Sequence, residues 1–230
     1  MELKKLIATL TGSDYSQPSE KALEYFKNLY GQLFDKIGYI RENIQPFEAI
    51  LEFMARYKIA TLTEEKAEKS PNEVFKKLYE SEMKGKKYRL PRGLLFLGGC
   101  GTGKTLAAKI IKNTFDLELF DTYHISFQYQ KKDGNDWLEK WVYENSTKTL
   151  VIDDLGAEGD IKKYGNESPM GAIISTRAKF WEDFGTPTIY TTNAGTPEEL
   201  AKKYSSDIRL ADRLSTYPIA VNFTGQSRRK

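Results

Sequence analysis

One uninterrupted run carries the clearest chemistry in the chain: Gly98-Gly99-Cys100-Gly101-Thr102-Gly103-Lys104-Thr105. It fits G-x-x-x-x-G-K-[ST] in full, directly after the apolar stretch Gly93-Leu94-Leu95-Phe96-Leu97 and before a helix-forming segment. That spacing binds nucleotide phosphate. Glycines let the backbone fold tightly enough to aim several N–H groups inward, and the positive end of the following helix adds about half a unit charge at the same spot. Lys104 would reach the β and γ phosphates, while the Thr105 hydroxyl would take one position on Mg²⁺. The expected contact set runs from Gly98 through Leu106. Cys100 contributes its backbone, and its thiol would make the site sensitive to alkylation.

A second constellation lies at the end of Lys148-Thr149-Leu150-Val151-Ile152-Asp153-Asp154. Buried strands seldom end in two adjacent aspartates unless something cationic waits there, because an unpaired buried carboxylate costs several kcal/mol. Mg²⁺ on a triphosphate is such a cation. Asp153 would hold the metal through water, and Asp154 would orient or deprotonate an attacking water. A later strand, Pro187 to Asn193, ends in an amide. There Asn193 would position the water or contact the γ phosphate, although taken alone the Asn-Ala-Gly sequence reads as a turn. A phosphate loop, then paired aspartates, then a strand closed by asparagine is the order of an additional-strand ATPase rather than a nucleotide kinase.

Positioning these groups takes a parallel sheet covered on both faces. From Gly93 the pattern alternates strand and helix, the signature of an α/β fold. A helix follows the loop over Lys104 to Asn113, and Leu119 to Ile125 is expected to form a second strand. A helix over Asp136 to Glu144 precedes the aspartate strand, and a long helix capped by Ser168-Pro169 follows it through Phe184. Thr196-Pro197-Glu198-Glu199 is a capping box with proline, ahead of a short helix over Asp207 to Leu214 and a last strand at Ile219 to Phe223.

Residues 1–85 read as a separate helical region and residues 86–230 as the α/β domain, with Lys84-Gly85-Lys86-Lys87 as the boundary. In the helical region Ala22, Leu23, Phe26, Leu29, Tyr30, Leu33, Phe34 and Ile37 recur at helical spacing. Phe47, Ile50, Leu51 and Met54 do so again after Pro46. Ser70-Pro71-Asn72-Glu73 announces a third helix, with proline at its first position.

At 230 residues the chain is long enough for a sizeable core, and 29% charged residues with a mean hydropathy of −0.57 suit a soluble, cytosolic protein. No apolar run reaches the roughly 20 residues that span a bilayer, and Met1 to Leu10 lacks a signal-peptide pattern. The single cysteine excludes an internal disulfide and a cysteine-based metal cluster, and the lone His124 excludes a histidine-rich one. Net charge is only +3. Even so, Lys84, Lys86, Lys87, Arg89 and Arg92 crowd one segment, and Arg228, Arg229 and Lys230 another. Such clusters suit nucleic-acid phosphates, or simply a solvated linker and tail.

Taken together, Gly98 to Thr105, the run Leu150 to Gly156, Tyr164-Gly165-Asn166, Thr191-Thr192-Asn193 and Arg209-Leu210-Ala211-Asp212-Arg213-Leu214 resemble the DnaC/IstB-like branch of AAA+ ATPases. That branch holds bacterial helicase loaders and transposition ATPases, and the resemblance covers roughly residues 88–229. It implies ATP and Mg²⁺ as cofactors, single-stranded DNA and a replicative helicase as partners, and self-assembly through an arginine finger. Arg213 matches the finger best, with Arg209 a turn earlier as the alternative. Arg229, in Ser227-Arg228-Arg229, matches a second sensor. The resemblance also implies that the helical lid of many AAA+ proteins is absent, and the short interval between Lys104 and Asp153 implies an abbreviated DNA-gripping insertion. In that case DNA would be held by backbone charge neutralisation and by stacking on aromatics such as Tyr129 or Trp137. A transposition helper, a nucleotide-gated adaptor with little turnover and, more remotely, a small-molecule kinase are the alternatives.

Overall fold

The computed structural model describes residues 15–38, 44–131, 134–158, 169–204 and 208–227. Packing divides the chain into two units, residues 1–39 with 51–91 and residues 40–50 with 92–230.

In the first unit, helix α1 (Glu20–Lys36) starts where the Ser19 hydroxyl accepts the Ala22 amide at 3.3 Å. Its buried row is Ala22, Phe26, Tyr30 and Phe34, stepping by four residues. Leu29 and Ile37, expected in the same stripe, lie beside that row and are each 47% exposed. Helix α2 (Phe47–Thr61) contributes its residues from Leu51 onward, followed by α3 (Glu64–Glu68) and α4 (Glu73–Leu78). The start of α4 differs from the expected capping box. Asn72, not Ser70, is the cap, its side chain accepting the Phe75 amide at 3.0 Å, while Ser70 accepts the Asn72 amide at 3.3 Å. Asparagine caps as well as serine, which leaves Ser70 and Pro71 to form the turn before it. Phe26 and Phe75 meet edge to face with ring centres 5.9 Å apart. After α4 the chain opens into a single π turn over Tyr79–Met83. Part of the basic run is bound locally: Lys84 pairs with Glu64 and Glu80 at 3.1 Å each, and Lys86 donates to the Glu82 carbonyl at 2.7 Å.

The second unit begins with β1 (Ile44–Gln45), a departure from an all-helical reading of the first 85 residues. Then follow β2 (Leu94–Leu97), α5 (Lys104–Phe115), β3 (Glu118–Asp121), α6 (Thr122–Lys131) and α7 (Gly134–Glu144). After them come β4 (Leu150–Leu155), α8 (Pro169–Phe184), β5 (Thr188–Thr192), α9 (Pro197–Tyr204), α10 (Ile208–Thr216) and β6 (Ile219–Phe223). Among the described residues the sheet order is β1-β6-β2-β5-β4-β3, parallel throughout except for the antiparallel edge pair β1 and β6.

Leu119 to Ile125 does not form one strand. Pairing with β4 stops at Asp121, whose carboxylate accepts the His124 amide at 3.2 Å and so caps α6. β-Branched and aromatic residues at Thr122, Tyr123 and Ile125 favour a strand, but the aspartate cap decides against it.

β2, β4 and β5 are buried on both faces, which is why they read as apolar runs rather than as alternating patterns. Leu95, Ile152 and Tyr190 point to one side and pack with Met170, Ile173 and Leu214 from α8 and α10. Leu94, Phe96, Val151 and Ile189 point to the other, where α5 buries Ala107, Ala108 and Ile111.

Two arginines lock the strand entries. Arg177 on α8 is 2% exposed and donates to the Thr188 hydroxyl at 2.8 Å and to the carbonyls of Asn145, Lys148 and Pro187 at 2.6, 2.8 and 3.1 Å. Arg92, just before β2, holds the carbonyls of Thr216, Tyr217 and Pro218 at the end of α10. Arg177→Met removes a charged donor from three carbonyls, those of Asn145 and Pro187 in buried bonds, so it should lower the unfolding free energy by about 3 kcal/mol or more in chemical denaturation. A loss under about 1 kcal/mol would mean that those carbonyls find other partners.

Candidate active site

The residues singled out for chemistry meet at the C-terminal ends of β2, β4 and β5, where ligands of open parallel sheets bind. The loop after β2 needs its glycines. Gly98, Gly101 and Gly103 have φ of +131°, +76° and +101°. A Cβ at Gly98 would lie 2.2 Å from the Phe223 carbonyl oxygen, and one at Gly101 would lie 2.2 Å from the Ser227 hydroxyl. Thr102 braces the loop by donating to the Gly99 carbonyl at 2.9 Å, and Gly103 leads into the first turn of α5.

Lys104 is 6% exposed, and its ammonium donates to the carbonyls of Gly98 and Gly99 at 2.7 Å each and to Asn193 Oδ1 at 3.0 Å. Behind it the Thr105 hydroxyl donates to Asp153 Oδ1 at 3.0 Å. Asn193 Nδ2 donates to Asp154 Oδ1 at 3.2 Å, so this one amide joins the loop lysine to the second aspartate. Cys100, Gly101, Gly103, Lys104, Thr105, Asp154 and Asn193 line a cleft of about 240 Å³.

Asp154 departs from ordinary strand geometry. Its φ is +63°, and the register between β4 and β5 slips between Ile152 and Leu155. A bulge of this kind turns a side chain out of its alternating position, here into the cleft, while Asp153 stays 7% exposed behind Thr105. Beyond the bulge, Glu158 accepts the Gly156 amide at 2.9 Å. Burial, reinforced by the Glu158 carboxylate, pushes the nearby Tyr204 phenol far above its ordinary pKa.

Lys104, Thr105, Asp153, Asp154 and Asn193 are therefore brought together, with the loop from Gly98 to Gly103 around them. Leu106 does not line the cleft and is 47% exposed. Arg209 and Arg213 are not in the cleft. Arg209 is exposed on the first turn of α10, and Arg213 borders a water-sized cavity of about 20 Å³ with Gly93, Thr188 and Pro218 at the opposite, N-terminal end of the strands. Arg228 and Arg229 and the run Tyr164-Gly165-Asn166 lie outside the described residues. Tyr129 is 7% exposed and donates its hydroxyl to Asn135 at 3.1 Å, and Trp137 packs beside Trp141. Both belong to packing rather than to a stacking surface.

The sequence reading missed Thr191. Its hydroxyl donates to Asp153 Oδ1 at 2.5 Å and accepts the Asp154 amide at 2.9 Å. Thr192 likewise donates to the Leu155 carbonyl at 2.7 Å. Two successive threonines in a wholly buried strand were the available signal, since each such hydroxyl must find a partner.

β5 lies between the strand that carries the phosphate loop and the strand that carries the aspartates. That order, with the loop and α5, defines a P-loop NTPase fold of the additional-strand type. No protein-family model and no curated protein matches the chain. Among solved structures, a candidate primosome component from Streptococcus pyogenes serotype M3 is 18% identical, with a TM-score of 0.45, over 80% of this chain and 81% of that one. AMPPCP-bound DnaA from Aquifex aeolicus is 14% identical, with a TM-score of 0.45, over 59% of this chain and 41% of its own. The FIGL-1 AAA domain in complex with ADP is 14% identical, with a TM-score of 0.35, over 58% and 44%.

The loop predicts a graded response to methyl groups. Gly98→Ala should lower stability by about 2 kcal/mol or more, because a backbone oxygen blocks the methyl. Gly99→Ala, whose Cβ meets nothing closer than 4.0 Å, should stay within about 0.5 kcal/mol in the same denaturation assay.

Proposed function

We propose that the chain binds ATP with Mg²⁺ in the cleft between Lys104 and Asp154 and hydrolyses it, as a DnaC/IstB-like AAA+ ATPase of the helicase-loader type. The observation that carries this reading is the convergence of Lys104, Thr105, Asp154 and Asn193 from three separate segments on one glycine-lined cleft, with Asp153 directly behind Thr105.

The residues fit the cofactors. Loop amides and Lys104 suit an anion. Thr105 and Asp153 supply the one hydroxyl and one carboxylate by which Mg²⁺ is commonly held when phosphates and water complete its shell. Bound there, Mg²⁺ supplies charge neutralisation on the triphosphate. Lys104 places a positive charge on the same oxygens, Asn193 orients water through its amide, and Asp154 accepts a proton from that water.

The resemblance to the loader branch extends the proposal to a replicative helicase and single-stranded DNA as partners, with the first 85 residues selecting the protein partner. Because neither Arg209 nor Arg213 reaches the chain's own cleft, either would act on the nucleotide of a neighbouring copy, so activity would require self-assembly. DNA contact would rest on lysine and arginine, and raising salt should weaken it.

Calorimetry with ATP, paired with a phosphate-release assay, tests the core of the proposal. Lys104→Ala should weaken nucleotide binding at least tenfold. Asp154→Asn should keep binding while hydrolysis falls about 100-fold or more, since asparagine tolerates the left-handed backbone and only the proton acceptor is lost. Absence of ATP uptake by the unaltered chain, or full turnover by Asp154→Asn, would overturn it.

A further inference from the structure

Residue 154 carries two local penalties. A left-handed conformation costs a non-glycine residue about 1–2 kcal/mol. The register slip also takes its amide and carbonyl out of the ladder with β5. Both groups are nevertheless satisfied, and by threonine hydroxyls from opposite sides of β4. The Asp154 amide donates to Thr191 Oγ1 at 2.9 Å, and the Asp154 carbonyl accepts from Thr122 Oγ1 at 2.9 Å. The same carbonyl accepts the Ala157 amide at 3.1 Å, closing the turn.

Thr191 stands on β5, and Thr122 is the first residue of α6 just after β3, so one hydroxyl comes from a strand that flanks β4 and the other from the helix that follows the strand on its opposite flank. Thr122 is 0% and Thr191 1% exposed, which leaves water little access to either bond. The direction of the Thr191 bond is fixed as well. Its single hydroxyl proton goes to Asp153 Oδ1, so a lone pair faces the Asp154 amide. Neither threonine lines the cleft.

We infer that Thr122 and Thr191 are positioning residues that clamp Asp154 in its left-handed conformation and so aim its carboxylate into the cleft. The clamp is a property of the fold. Its kinetic consequence rests on the hydrolysis proposed above. Thr122 begins α6, so the position of that helix is mechanically part of the geometry of Asp154. Thr191 bonds both aspartates, so its loss would disturb Asp153 together with Asp154.

The test uses the full chain with Thr122→Val and Thr191→Val, each beside its serine counterpart, which restores the hydroxyl. Two readouts separate the clamp from the hydrolysis reading. Hydrogen exchange at the Asp154 amide should accelerate about tenfold or more in Thr191→Val and remain slow in Thr191→Ser. In turnover, both valine variants should lose about tenfold or more in kcat, with ADP affinity in Thr122→Val within about twofold of the unaltered chain, and both serine variants should recover the lost turnover. If either valine variant fails to fold, Thr122→Ala and Thr191→Ala carry the same comparison. Unchanged exchange in Thr191→Val, or kcat within about twofold in both valine variants, overturns the clamp. An unaltered chain that releases no phosphate overturns the hydrolysis reading instead, and the exchange experiment then decides the clamp by itself.

Discussion

One buried carboxylate joins the parts of the site. Asp153 Oδ1 receives the hydroxyls of Thr105 on α5 and Thr191 on β5, at 3.0 and 2.5 Å. An ionised carboxylate loses several kcal/mol of hydration on burial, and hydroxyl donors offset part of that loss. The offset requires the first turn of the loop helix, the end of β4 and the end of β5 to keep their mutual distances. Lys104 repeats the constraint with opposite sign, its ammonium held among three oxygens. Asn193 closes the circuit by accepting from Lys104 and donating to Asp154, so a change at any one of these groups is felt by the others.

Much of this was legible in the sequence because the signals are local. Gly98 to Thr105 encode the loop through their own dihedral requirements, and the apolar strands betray themselves by lacking alternation. The five site residues could be named because each stands at or near the end of an element that the sequence pattern identifies. Features settled by tertiary register were hidden. Thr122 and Thr191 look like ordinary β-formers until β4 slips against β5. β1 pairs Ile44 with Phe223, partners from distant parts of the sequence with no shared pattern. Arg177 sits in the middle of a helical run, and nothing local says that four oxygens wait for it.

Charge illustrates the same limit. The basic segment before β2 reads as a uniform patch, yet its members divide in the folded chain. Lys84 and Lys86 are held by acidic and carbonyl oxygens of the first unit, and Arg92 grips the last carbonyls of α10. A count of lysines and arginines therefore overstates the positive surface that segment offers to a polyanion.

The grip of Arg92 has a mechanical meaning. It fastens the C-terminal end of α10 to the root of the strand that carries the phosphate loop. A nine-residue helix fixed at one end behaves as a short lever. Tilting it by roughly 10° about Thr216 would carry the backbone at Arg209 through about 2 Å and that at Arg213 through less than half as much, from a rise of about 1.5 Å per residue. Of the two arginines, Arg209 thus has the longer arm, and any rearrangement at the base of β2 is magnified where that side chain begins.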